Sequence, residues 1–196
     1  DYDIKLLKDA LSVNWGDNYA AAYSVKTNSL PWLLDNLRSK GFHAEIVSSD
    51  EYELVHHIGC SDSGIIYNGP VKNHALFDRI IKAGGIVNMD SHDELEWLHS
   101  LCRTDPGTVR SVGIRVNVDL SSLCPEEKLA SEDGGRFGYC YENGSLKSVI
   151  DEINRIPNAK IAGLHLHSST QSRTVNVYAA LAEMAGRIAA ENGLDL

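Results

Sequence analysis

Residues 64–101 read GIIYNGPVKNHALFDRIIKAGGIVNMDSHDELEWLHSL. Two short runs rich in β-branched side chains, GIIYN (64–68) and GIVNM (85–89), are each followed by apolar residues at helical spacing. Asn73 opens the first helix, Leu76, Phe77, Ile80 and Ile81 line one face, and Gly84-Gly85 close it. Ser91 with Glu94 three residues later has capping-box spacing, and Leu95, Trp97, Leu98 and Leu101 follow. The connections are too long for hairpins, so the strands run parallel with right-handed crossovers.

The same unit recurs on both sides at a period of roughly twenty-odd residues. Strand-like runs occur at 20–25 (AAAYSV), 43–48 (HAEIVS), 109–118 (VRSVGIRVNV) and 160–167 (KIAGLHLH). Pro31 opens a helix carrying Trp32, Leu33, Leu34 and Leu37, and Gly41 closes it. Ser49 or Asp50 caps a helix with Tyr52, Leu54, Val55 and Ile58; two more helices span about 145–155 and 175–192. An open doubly wound sheet and a closed (β/α)8 barrel both accept this pattern. The turn after the first run is VKTNSLP rather than a Gly-rich dinucleotide loop, which favours the barrel. Six strand-helix units are legible where a barrel needs eight, so residues 1–196 are expected to form one partial barrel domain. The stretch Asp119 to Asn143 interrupts the period after the fifth strand and reads as a long loop, of a length that is usually functional or mobile.

The chain has 196 residues, of which 43% are hydrophobic and 23% charged, enough for one globular domain with a real core. With 18 basic against 27 acidic residues the formal charge is −9, which repels phosphate backbones and anionic membrane surfaces. Nucleic acid and membrane are therefore not expected partners. No apolar run approaches the ~20 residues needed to cross a bilayer, and the N-terminal stretch lacks the layout of a signal peptide, so the chain reads as cytoplasmic. Cys60, Cys102, Cys124 and Cys140 form no CxxC pair and are expected to be reduced.

Two places carry chemistry. Lys26 ends the first strand, where alternation puts Ala22, Ser24 and Lys26 on one face. If that face is the interior, small side chains leave room around an amine able to form Schiff bases with carbonyls; a solvated strand-end lysine is the plain alternative. In Leu164-His165-Leu166-His167 the leucines are expected to face outer helices and the histidines the interior. A metal shared by the two imidazoles is a rival reading, but no other obvious ligands accompany them. Glu45, Ser48, Asn68 to Lys72, Asp90-Ser91 and Arg115 place polar groups at one end of nearly every strand, as on the catalytic face of a barrel enzyme.

In motif order the chain resembles the alanine-racemase-like barrel of the diaminopimelate, ornithine and arginine decarboxylases, which use pyridoxal 5'-phosphate. The matching motifs are Tyr23-x-x-Lys26-x-Asn28; Glu45, Ser48 and Glu51; Asn68-Gly69-Pro70-x-Lys72; Asp90 to Leu95; Arg115; Arg136-Phe137-Gly138; and Gly163-Leu164-His165-Leu166-His167. The resemblance implies that Lys26 holds the cofactor as an internal aldimine and returns a proton after carbon dioxide leaves. It implies that His167 stacks on the pyridine ring and that Thr170 contacts the cofactor phosphate in place of a family serine. Glu45 and Arg115 are implied among the polar groups around the cofactor.

The implied function is decarboxylation of a diaminopimelate-, ornithine- or arginine-like amino acid by a homodimer. Relatives carry a Gly-rich phosphate loop, an acidic partner for the pyridine nitrogen and a β-domain later in the chain; these are absent here, so the 196 residues alone are expected to be inactive. An amino-acid racemase of the same fold and a non-catalytic cofactor-binding or scaffold domain are the alternatives. With two uncovered sheet edges, this length of chain is expected to self-associate.

Overall fold

The computed structural model describes residues 2–126, 137–167 and 174–195. Among the described residues, seven α-helices and seven strands alternate for most of the chain. The helices are α1 (Tyr2–Trp15), α2 (Pro31–Ser39), α3 (Ser49–His57), α4 (His74–Lys82), α5 (His92–Thr104), α6 (Ser145–Asn154) and α7 (Val175–Asn192). The strands are β1 (Ala22–Ser24), β2 (His43–Ile46), β3 (Ile65–Tyr67), β4 (Ile86–Met89), β5 (Arg110–Asn117), β6 (Tyr139–Cys140) and β7 (Ala159–Leu166).

Every strand pairing is parallel, and β1 to β5 lie side by side in chain order. β7 pairs with almost the whole of β5, while β6 adds only two residues at the end of that strand. The order never reverses, so right-handed crossovers carry the helices to one face of the sheet, whereas a doubly wound sheet needs a reversal. The result is an arc of a (β/α)8 barrel with six staves and the minor strand β6, in agreement with the barrel expected from the sequence.

Alternation sorts the side chains. Ile46, Tyr67, Val87, Met89 and Ile114 are buried in one core with Phe77 and Ile80 of α4, Leu95 and Leu98 of α5, Ile150 and Ile153 of α6, and Ile188 of α7. Each such side chain, fully buried, contributes about 1.5–3 kcal/mol. The alternate positions point into the barrel and are largely polar: Ser24, Glu45, Asn88 and Arg115.

The local signals behave with a few differences. Asn73 caps α4, its side chain accepting from the Leu76 N–H, and Pro31 starts α2. The cap of α3 is Ser48 rather than Ser49 or Asp50: its extended backbone lets Oγ accept from the Glu51 N–H. The stretch 119–143 is not all loop, since it contains β6. α1 escapes the periodicity because none of its residues is buried. Cys60, Cys102, Cys124 and Cys140 are all free thiols, and among the described residues no helix is long and apolar enough to cross a membrane.

Candidate active site

The C-terminal ends of the strands bring the candidate residues together. Lys26 does not end a strand: β1 stops at Ser24, and Val25–Thr27 form a 3-10 turn. Val25 turns into the core, while Lys26 is exposed, so the expected enclosed amine is not seen. Lys26 nevertheless lies just past the C-terminal end of β1, the strand that pairs with the one carrying Glu45.

Glu45 stands on β2 beside Ser24 of β1. Its Oε1 accepts from Asn68 Nδ2 at 3.0 Å, and Asn68 Oδ1 in turn accepts from Asn88 Nδ2 at 2.7 Å. This ladder crosses three strands, and both asparagines are buried. It requires a glycine on the next strand: a Cβ on Gly113 would lie 1.9 Å from Asn88 Oδ1. Neither Asn88 nor Gly113 stands out in the sequence, although a polar residue at an inward position of an apolar strand is a signal that could have marked Asn88.

Arg115 lies opposite His165 in the register of β5 and β7. Its guanidinium donates to Asp90 Oδ2 at 3.1 Å and lies 4.9 Å from the Phe137 ring centroid. Asp90 Oδ1 accepts from the Gly138 N–H at 2.7 Å. Gly138 has φ +83°, and a Cβ there would come within 2.6 Å of the Arg115 carbonyl oxygen, so backbone and carboxylate clamp together only with glycine. The Tyr139 hydroxyl donates to the Ser91 carbonyl beside it. Asp90 is thus the residue that orients Arg115, a role that depends on strand pairing.

Below this clamp, Lys72 and Glu94 form a buried ion pair with N–O distances of 2.9 and 3.0 Å. Lys72 also donates to the Gly69 carbonyl, and Glu94 accepts from the Asp90 N–H at 3.0 Å. Glu94 therefore reaches the backbone of Asp90 rather than completing a reciprocal capping box with Ser91. Burial pushes Lys72 below and Glu94 above their ordinary values, against the attraction between them.

On β7, Leu164 and Leu166 pack on the core, as alternation predicts. A bulge lies at the pairing of Val112 and Gly113 with Ile161 and Gly163. The His165 and His167 ring centroids are 6.3 Å apart. Burial, and then the charges of Arg115, His167, Lys72 and Lys26, lower His165 to about 4. That field opposes a cation shared by the two imidazoles, and among the described residues no group of three His, Cys, Asp or Glu side chains is arranged for a metal. Thr170 and Arg136 lie outside the described residues.

Residues 4–194 match the family described as "Pyridoxal-dependent decarboxylase, pyridoxal binding domain". The chain belongs to this family. The diaminopimelate decarboxylase of Bacteroides thetaiotaomicron is 27% identical over 186 residues, 92% of this chain and 47% of that protein. The L-glutamyl-[BtrI acyl-carrier protein] decarboxylase of Niallia circulans is 28% identical over 150 residues, 76% of this chain and 34% of that protein. The fold superposes on a crystal structure of diaminopimelate decarboxylase from M. jannaschii in complex with L-lysine, with TM-score 0.80 and 20% identity, covering 96% of this chain and 44% of that one. The decarboxylase-family chain thus spans about one third to one half of the length of these relatives.

The residues present fit the family's cofactor, pyridoxal 5'-phosphate. Among the described residues, Ser24 Oγ and His165 Nδ1 are buried without a hydrogen-bond partner, and Ser24 stands two residues before an exposed amine. Unsatisfied buried atoms suit a polar ligand that meets them.

Proposed function

We propose that the chain is the cofactor-holding barrel portion of a pyridoxal-phosphate-dependent decarboxylase acting on a basic or diamino acid. The observation that carries this is the convergence of Lys26, Glu45, Arg115, His165 and His167 at one end of the strands, within a family match that runs from residue 4 to 194. In the reaction the bond from Cα to the carboxylate breaks, carbon dioxide leaves and one proton takes its place. Pyridoxal phosphate, when bound, accepts the electron pair left on Cα.

The chain's own groups do the rest. Lys26 Nζ would hold the cofactor, and the same amine would return the proton to the substrate once carbon dioxide has left. Glu45, fixed by Asn68 and Asn88, and Arg115, fixed by Asp90, give the site two opposite charges that do not have to reorganise during the reaction. His167 would lie against the ring of the bound cofactor, and Thr170 would contact its phosphate. A homodimer of the full-length protein belongs to the same reading, and its sedimentation tests that part.

Borohydride reduction of the cofactor-loaded full-length protein, followed by peptide mapping, is expected to find the pyridoxyl group on Lys26. An adduct on another residue overturns the assignment. Carbon dioxide release is expected from a basic or diamino acid; inversion of the amino acid without gas release shows a racemase instead, and no aldimine band beyond the absorbance of free pyridoxal phosphate shows a scaffold.

A further inference from the structure

The inward face of β7 holds a buried nitrogen that the described residues leave unsatisfied. His165 Nδ1 is closed off from solvent and has no hydrogen-bond partner. Ionisation offers it no relief, because burial disfavours the charged ring, and Arg115 on β5, His167 just past its own strand, Lys72 after β3 and Lys26 after β1 add to that. A buried polar atom without a partner bears its full desolvation cost, and an apolar residue would serve the fold better there. Leucine already occupies the outward positions on each side, so the strand does not need a histidine for packing.

Position says where the missing partner lies. His165 is in register with Arg115, whose side chain Asp90 holds at the barrel mouth. The second orphaned atom, Ser24 Oγ, stands on the edge strand that leads into Lys26. We propose that His165 is a cofactor-contact residue, forming one hydrogen bond through Nδ1 to a polar group of the molecule attached at Lys26. This rests on the reading that Lys26 carries pyridoxal phosphate. An uncharged imidazole supplies direction there without adding another cation beside Arg115.

The test uses the full-length protein with His165→Leu and His165→Asn, titrated with pyridoxal phosphate and followed by visible absorbance. The leucine variant is expected to bind the cofactor about tenfold more weakly and to shift the absorbance maximum. The asparagine variant, which retains a short polar group, is expected to stay within about threefold of the parent. Without cofactor, the leucine variant is expected to melt at or above the parent temperature, since it removes an unsatisfied buried atom. Unchanged affinity and absorbance in the leucine variant overturn the proposal, as does lower stability without cofactor combined with unchanged affinity, which marks a purely structural histidine. If the leucine variant does not fold, His165→Met is read by the same criteria. Borohydride mapping of the parent separates the two readings: an adduct away from Lys26 sinks the attachment site, whereas an adduct on Lys26 with an indifferent leucine variant sinks only the role of His165.

Discussion

Lys72 and Glu94 sit under the barrel mouth with side chains almost wholly removed from water. Burial disfavours both charges, and each is tolerable only beside the other. Lys72→Met is therefore expected to cost about 3–5 kcal/mol, because it strands a buried carboxylate. Glu94→Gln keeps an acceptor for the Asp90 N–H, so the double variant is expected to be clearly more stable than the sum of the two single losses predicts. Urea unfolding of the four proteins measures this. His165 gives a pH signature. Its folded value is about 4 against an ordinary 6.5, so between those limits the unfolded chain binds a proton that the folded chain refuses. The fold is unaffected by this group above pH 6.5 and loses stability as the pH falls towards 4, by on the order of 3 kcal/mol in full for the shift to about 4. Protein without cofactor, unfolded at pH 7 and pH 4.5, is expected to show a smaller difference in His165→Leu than in the parent.

At the scale of elements, β4 and β5 meet through a missing side chain. Gly113→Ala would put a methyl carbon on the Asn88 carboxamide, displace it and release Asn68 and Glu45 in turn. Overpacking of this kind costs about 1–3 kcal/mol, and the variant is expected to lose cofactor affinity as well as thermal stability; retention of both shows that the ladder does not orient Glu45. How far the elements were legible follows from what holds each one. β2 to β5, β7 and α2 to α7 announce themselves because each buries apolar side chains at its own period, and β1 because its short run is flanked by the buried Ala21 and Val25. α1 has no such stripe, and β6 is two residues held by β5 and by the contacts of Asp90 and Ser91, so local sequence carries neither. The site divides in the same way. Alternation finds Glu45, Arg115 and the two histidines on the inward face, and the motifs find Lys26. The Asn88–Gly113 contact and the Asp90 clamp arise between strands some 25 or more residues apart, which spacing along the chain does not register.

For the whole molecule, the sheet has two free margins. Among the described residues, β1 pairs only with β2, and β7 only with β5. α1 adjoins this opening in sequence and exposes Tyr2, Leu6, Leu7, Val13 and Trp15. Unpaired strand margins and uncovered apolar side chains recruit further chains. A polypeptide limited to residues 1–196 is expected to sediment as a self-associated species, and a stable monomer at micromolar concentration would contradict the open-arc description.

The sheet pairs its strands in the order in which they are made, apart from the step over β6. As the polypeptide leaves the ribosome, each emerging stave meets a neighbour already waiting, and no early segment has to be held apart for a late one. Closing short loops one after another keeps the entropic cost of each addition small. The turn that carries Lys26 is thus in place before the strand that brings the two imidazoles, which follows more than a hundred residues later.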